Sequence, residues 1–202
     1  MKNQIKYIVI HCSDVSERSI FDQLKSINEY HRDVKMFPKS SLNYWVGYHY
    51  LITGNTIYQC RADGDVGSHC NQGYDGIKVY PPGSGLALSM NYQSCGICWG
   101  GDGDIEFPSP KHYELLQKKV WEVQDKYKIP NERVFFHRKF SISKTCPGSL
   151  ITDQWLKDLL TRPKVIPETP KTDSCLSVII EKDKQISRLQ ELVQSIINFF
   201  RK

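Results

Sequence analysis

Two histidines and a cysteine, far apart in the chain, are the residues best suited to chemistry. His11 closes an apolar, β-branched segment, and His137 closes a second one that is followed by a loop carrying Cys146. Two imidazoles and a thiolate supply three ligands of a tetrahedral zinc ion, and the open fourth position is typical of a catalytic site. A histidine at a strand end is more often structural, and over a hundred residues separate His11 from the other two. Spacing alone therefore does not establish the site.

Both histidines are positioned by predicted strands. Residues 5–10 and 133–136 are short, rich in valine, isoleucine or phenylalanine, and bounded by polar residues, which is typical of buried strands. If the two strands share a sheet, His11 and His137 can meet at one edge of it. The remaining predicted elements are strands over residues 44–52, 56–60 and 94–101, helices over residues 19–34, 110–129 and 152–160, and a long loop region over residues 61–91.

Composition indicates one ordinary domain with an appendage. The chain has 202 residues, of which 40% are hydrophobic, which is enough for a substantial core. The formal charge of +5 is mild, and no block of lysine and arginine forms a basic stripe. We therefore expect no nucleic-acid partner.

The first residues and the cysteines indicate the cellular compartment in which we expect the protein to be made. The first six residues lead straight into a strand rather than a leader, so we expect a chain made in the cytoplasm without a signal peptide and kept reduced. In that setting the seven cysteines are more often buried or metal-binding than disulfide-bonded. Cys95 and Cys98 lie three apart in a predicted strand and therefore face opposite sides, which disfavours a shared metal. No apolar run reaches about 20 residues, so we expect no transmembrane segment.

The sequence divides into three parts. We predict a catalytic domain over residues 1–162, a proline- and threonine-rich linker over residues 163–173, and an amphipathic helix over residues 174–202. Apolar residues recur every seven positions in the last part, at Ile179, Ile186, Val193 and Phe200. This spacing predicts coiled-coil pairing into a homo-oligomer, docking on the domain, or capture by a partner protein or membrane surface, and self-association is the first expectation.

Four motifs resemble the zinc N-acetylmuramoyl-L-alanine amidases, a family that includes phage lysozyme-type amidases and peptidoglycan recognition proteins. They are the runs at residues 7–13 (YIVIHCS), 46–50 (VGYHY), 66–69 (VGSH) and 144–148 (KTCPG). The motifs occur in family order, and the resemblance covers about residues 5–160. It implies an α/β fold with a central mixed β-sheet flanked by helices.

The resemblance also implies an activity and a metal. It implies a peptidoglycan hydrolase, similar to endolysins, that cuts the amide bond between N-acetylmuramic acid and L-alanine with one Zn²⁺ per chain. Peptidoglycan is then the expected partner, and the enzyme acts on the cell wall after release. The zinc ligands implied are His11, His137 and Cys146.

Three further residues take roles only from the resemblance. Tyr48 would orient or deprotonate the attacking water, although a tyrosine in an aromatic strand is usually half-buried packing. Lys144 would stabilise the oxyanion, although a lysine in a polar loop is normally just solvated. His69 would line the substrate groove, although a loop histidine is otherwise a surface residue. His49, next to Tyr48 on the predicted strand, is expected to be structural.

Two other functions stay open on the sequence. A non-catalytic peptidoglycan recognition module would share the fold, but such relatives typically lack the cysteine ligand that Cys146 matches. A structural zinc protein would instead use four other cysteines: Cys60, Cys70, Cys95 and Cys98. Such a protein would retain zinc after His11→Ala, whereas the catalytic site should lose it.

Overall fold

The computed structural model of the protein describes residues 5–17, 23–84, 88–141 and 143–163. Residue contacts divide the chain into two units, Met1–Thr161 and Arg162–Lys202. The predicted C-terminal helix (residues 174–202), and all of the predicted linker (residues 163–173) except Pro163, lie outside the described residues. The site described below belongs entirely to the first unit.

A five-stranded sheet organises this unit. Its strand order is β3-β2-β6-β1-β7, with β3 antiparallel to β2 and the other neighbours parallel. Its strands are β1 (Tyr7–Cys12), β2 (Tyr50–Thr53), β3 (Thr56–Gln59), β6 (Ser94–Trp99) and β7 (Val134–Phe136), while β4 (Gly73–Tyr74) and β5 (Val79–Tyr80) form a separate two-stranded sheet. The helices are α1 (Gln23–Asp33), α2 (Met90–Gln93), α3 (Pro110–Tyr127) and α4 (Asp153–Leu160). The predicted α/β fold with a central mixed sheet is confirmed.

Both faces of the sheet are covered, which explains why β1 and β6 are almost continuously apolar. On one face, β1 packs against α3 and α4 in a cluster that includes Ile8, Ile10 and Leu116. On the other face, the segment between β3 and β6 covers Val9, and α1 covers the neighbouring strands. A strand buried on both sides holds its end residues rigidly, and β1 ends in the site.

The predicted strand over residues 44–52 is wrong in its first half, because only β2 is extended and paired. The backbone before β2 bonds to side chains instead. The N–H of Trp45 donates to Oδ1 of Asn28 at 2.7 Å, and the N–H of Gly47 donates to Nδ1 of His31 at 3.1 Å. These acceptors satisfy donors that a strand ladder would use, so the segment follows its own path into the site.

The apolar core between the sheet and helices α3 and α4 should dominate the stability of the fold. Leu116 of α3 is fully buried, so Leu116→Ala should lower the free energy of unfolding by about 2–5 kcal/mol through lost burial and a residual cavity. Chemical denaturation checks this. Lys118→Ala, on the exposed side of the same helix, is the matched control and should change stability by less than about 0.5 kcal/mol. Equal midpoints for the two variants would contradict this account of the core.

Candidate metal centre

The proximity of His11 and His137 follows from the register of two neighbouring parallel strands. Ile10 of β1 pairs with Phe136 of β7, so the next residue of each strand comes alongside the other. The two imidazole centroids lie 4.6 Å apart, close to the spacing of about 4.8 Å between adjacent strands. Both rings are buried. The carboxyl end of the sheet therefore presents two imidazoles at one point.

Arg138 holds the loop that brings Cys146 to this point. Its backbone N–H donates to the carbonyl of Cys146 at 2.8 Å. Its guanidinium donates to the carbonyls of Gly148 at 2.9 Å and Ile151 at 2.6 Å. These hydrogen bonds from Arg138 fix the cysteine loop beside His137, its neighbour in the sequence.

Asp104 secures the same loop from the other side. Its carboxylate accepts hydrogen bonds from the Thr145 hydroxyl and the Ser149 N–H, each at 2.6 Å. Asp104 and Arg138 were not predicted as site residues. The Asp-Gly-Asp run at residues 102–104 is by itself typical of a turn, and nothing local in the sequence shows that this turn meets a loop some forty residues later.

The three predicted ligands converge in a geometry that fits zinc. The ligand atoms of His11, His137 and Cys146 all lie within 4.8 Å of one another. Nδ1 of His11 is 3.7 Å from Sγ of Cys146. A nitrogen and a sulfur bound to one tetrahedral zinc at about 2.0 and 2.3 Å lie roughly 3.5 Å apart. The donor set and its spacing therefore match a zinc ion with a fourth position left for another ligand.

The electrostatics of the two imidazoles suit metal binding. Burial lowers the pKa of His11 well below its ordinary value, and the neighbouring His137, His69 and Lys144 act in the same direction. Burial also lowers the pKa of His137 to about 4, again with Lys144 in support. Both rings are consequently neutral near pH 7 and keep a nitrogen lone pair for a metal.

Tyr48 lies against the imidazole of His11. Its ring centroid is 5.0 Å from that of His11, and it lines the same cavity. Burial raises the pKa of the Tyr48 hydroxyl well above its ordinary value, and the nearby Cys98, Cys146, Cys12 and Asp14 add to this effect. Near pH 7 the phenol therefore keeps its proton and can donate a hydrogen bond.

A groove opens directly over the centre. It consists of two adjoining cavities of about 410 and 380 Å³ that share Phe37, Ser68, His69, His137 and Lys144 as lining residues. Lys144 is exposed and follows a turn in which its N–H donates to the Ser141 carbonyl at 3.0 Å. An ammonium group thus borders the groove near both imidazoles, while the three ligand residues are buried at its floor.

His69 and His49 extend the histidine cluster into the interior. Nδ1 of His69 is 3.0 Å from Nε2 of His11. His69 is only 8% exposed, although it contributes to the lining of both cavities. His49 is fully buried, with Nδ1 accepting from the Gly96 N–H at 3.1 Å and Nε2 lying 3.2 Å from the Asp65 carbonyl. Both nitrogens of His49 thus bind backbone groups, which fits the structural role expected for it.

Comparison with known proteins agrees with this geometry. A sequence model of the N-acetylmuramoyl-L-alanine amidase family matches residues 1–149. The chain belongs to the N-acetylmuramoyl-L-alanine amidase family. The resemblance read from its four motifs is therefore confirmed. No curated protein sequence matches the chain.

Solved structures of amidases and peptidoglycan recognition proteins share the fold. The amidase LysC from Clostridium intestinale URNW is 22% identical, with a TM-score of 0.57 over 77% of this chain and 85% of LysC. The endolysin of the Thermus scotoductus MAT2119 bacteriophage Ph2119 is 17% identical, with a TM-score of 0.55 over 80% of this chain and 88% of the endolysin. Peptidoglycan recognition protein LE in complex with tracheal cytotoxin, a monomeric diaminopimelic acid-type peptidoglycan, is 18% identical, with a TM-score of 0.57 over 78% and 82% of the two chains. At these identities the likeness shows the fold.

The other cysteines in the described ranges do not form a second centre. Six cysteines of the described ranges are free and buried. Within those ranges, the three ligands named above are the one group of three or more histidine, cysteine or acidic residues whose ligand atoms converge. Cys95 and Cys98 belong to clusters on opposite sheet faces, as predicted. The geometry thus gives no support to a structural zinc site at Cys60, Cys70, Cys95 and Cys98.

None of the helices in the described part of the chain combines the length and the apolar character that crossing a membrane requires.

Proposed function

We propose that this amidase-family protein is a zinc-dependent hydrolase of peptidoglycan, cutting the amide bond between the lactyl group of N-acetylmuramic acid and L-alanine. The proposal depends above all on one observation, the convergence of two neutral imidazoles and a thiol at the floor of an open groove. A closed structural zinc site would have a fourth protein ligand and no groove. The arrangement supports a catalytic site.

Three residues would hold the metal. Nδ1 of His11, one nitrogen of His137 and Sγ of Cys146 are the donor atoms, and the two sides of the cysteine loop are held by Arg138 and Asp104. Zinc bound there supplies Lewis-acid activation of the amide carbonyl and of the attacking water. The rest of the chemistry falls to the side chains around it.

Lys144 and Tyr48 would act on the substrate from the groove. Water adds to the carbonyl carbon, and negative charge develops on the carbonyl oxygen, where the Lys144 ammonium can stabilise it. Tyr48 keeps its proton near pH 7, so it would donate a hydrogen bond to the reacting oxygen atoms. When the C–N bond breaks, the departing amine of L-alanine takes up the proton that the attacking water has lost, relayed to it by Tyr48 or by a chain of water molecules.

The groove suits a large polar substrate. Its two adjoining cavities extend past the centre in a continuous lining of polar and aromatic residues, as a glycan strand with a peptide stem requires. Peptidoglycan recognition protein LE, which shares the fold, binds a monomeric peptidoglycan. The endolysin from bacteriophage Ph2119 also shares it. We therefore propose peptidoglycan as the partner and an endolysin-like role in cell-wall degradation.

The products of digestion test this function. Purified full-length protein should release free L-alanine amino termini from peptidoglycan without new reducing sugar ends, as seen by mass spectrometry of the muropeptides. A metal chelator should abolish the release, and added zinc should restore it. New reducing ends would identify a glycosidase instead. Retention of peptidoglycan with no cleavage would assign the chain to recognition rather than catalysis.

A further inference from the structure

His69 is hydrogen-bonded to His11, one of the three candidate zinc ligands. Its Nδ1 lies 3.0 Å from Nε2 of His11, and the two rings meet edge to face at 85°. Both side chains are buried. Nδ1 of His69 is thus directed at His11, while the residue also contributes to the lining of the groove. The family resemblance implies a substrate contact for His69, and the structure adds this contact with His11.

The proton arrangement of the pair follows from the ligand geometry. Nδ1 of His11 faces Sγ of Cys146 at 3.7 Å, so Nδ1 is the nitrogen that would bind zinc. A neutral imidazole that binds metal through Nδ1 carries its proton on Nε2. This Nε2–H must donate to Nδ1 of His69, which therefore accepts and holds its own proton on Nε2. The contact selects a single tautomer for each ring.

The surrounding backbone is shaped to hold the His69 ring in this position. A Cβ atom on Gly67 would lie 2.5 Å from Cδ2 of His69, and a Cβ on Gly96 would lie 2.7 Å from the same atom. Two glycines therefore flank the ring at distances that no side chain could occupy. The backbone of His69 is also fixed, because its N–H donates to Oδ1 of Asn91 at 2.8 Å. The ring is therefore held between the loop backbone at Gly67 and the backbone of β6 at Gly96.

We propose that His69 is a positioning residue for zinc binding, which fixes the orientation and tautomer of His11 through the Nε2–Nδ1 hydrogen bond. The inference rests on the proposed function only in requiring that His11 binds zinc. Groups that orient a metal-bound histidine typically contribute a factor of about 10–100 to metal affinity. Loss of the His69 ring should weaken zinc binding by a factor of that size, in the absence of any substrate.

Zinc competition against a chromophoric chelator measures this effect in the full-length protein. His69→Ala should bind zinc about 10–100-fold more weakly than the wild type. Asn71→Ala is the matched control, because Asn71 lines the same groove and its side chain bonds to Ser89 rather than to His11; its zinc affinity should be unchanged. Unchanged zinc affinity in a folded His69→Ala protein, with a raised KM for muropeptides, would make His69 a substrate contact and overturn the proposal. Failure of the wild type to bind zinc would instead refute the proposed function.

A measurement on the wild-type protein tests the proposal even if the His69→Ala variant does not fold. Long-range ¹H–¹⁵N correlation spectra of zinc-loaded protein report which nitrogen of each histidine carries the proton. We expect His11 to be protonated on Nε2 and His69 to be protonated on Nε2, with Nδ1 of His69 as acceptor. A proton on Nδ1 of His69 would reverse the direction of the hydrogen bond and overturn the proposal.

Discussion

Cys146→Ser should remove tight zinc binding and, with it, nearly all amide hydrolysis. Serine is similar in size, but its hydroxyl is not ionised near pH 7 and is a poor ligand for zinc, whereas the thiolate is a strong one. The variant should therefore contain no zinc after purification, while the wild type should contain one ion per chain. Lewis-acid activation by a metal contributes several kcal/mol, and each 1.4 kcal/mol is about tenfold in rate, so activity should fall by a factor on the order of 10³ or more.

Cys70→Ser is the matched control. Cys70 is also buried and free, and its thiol lies 3.6 Å from Oε1 of Gln72, a partner that a hydroxyl can also use. This variant should retain zinc and activity. Metal analysis of both proteins then separates two hypotheses, because a structural zinc site at Cys60, Cys70, Cys95 and Cys98 requires the opposite pattern. Zinc retained by Cys146→Ser and lost by Cys70→Ser would remove the catalytic centre from this protein.

The sequence predicted the elements of the site best where a candidate ligand lies at the end of a strand with a clear apolar pattern. β-branched and aromatic runs marked β1 and β7, and each strand ends within two residues of a predicted ligand, His11 or His137. The register that places these two side by side is a property of the sheet, and the alternation of residues does not specify which strands become neighbours. The two strands were therefore predictable from local pattern, the α/β class and the candidate ligands from the family resemblance, and the distances between ligand atoms from neither.

Contacts across long stretches of chain had no signal in the sequence. His69 approaches His11 across 58 residues, most of them in irregular structure, and the resemblance suggested a different contact for it. The acceptors at Asn28 and His31 that redirect the backbone near residue 45 are likewise remote in sequence. Such contacts depend on how loops pack on the sheet. Whether residues 174–202 self-associate stays a prediction, since this segment lies outside the described residues.

Lys144→Met should leave zinc in place and remove most of the activity. Methionine keeps much of the aliphatic length but lacks the ammonium group that borders the groove over the centre. Loss of one group that stabilises a developing oxyanion typically lowers kcat by about 10²–10³-fold. Because this charge is needed mainly in the transition state, KM should change little. Steady-state kinetics on a defined muropeptide and metal analysis of the same preparation measure both quantities.

Lys139→Met provides the control for charge as such. Lys139 lies in the short helical turn that begins at His137, is exposed, and is absent from the lining of either cavity. Its replacement removes the same formal charge near the centre, so a general electrostatic effect would lower the activity of both variants alike. A role at the reacting carbonyl predicts that only Lys144→Met is impaired. Full activity of Lys144→Met with zinc bound would exclude Lys144 from the mechanism, and oxyanion stabilisation would then fall to the metal and Tyr48.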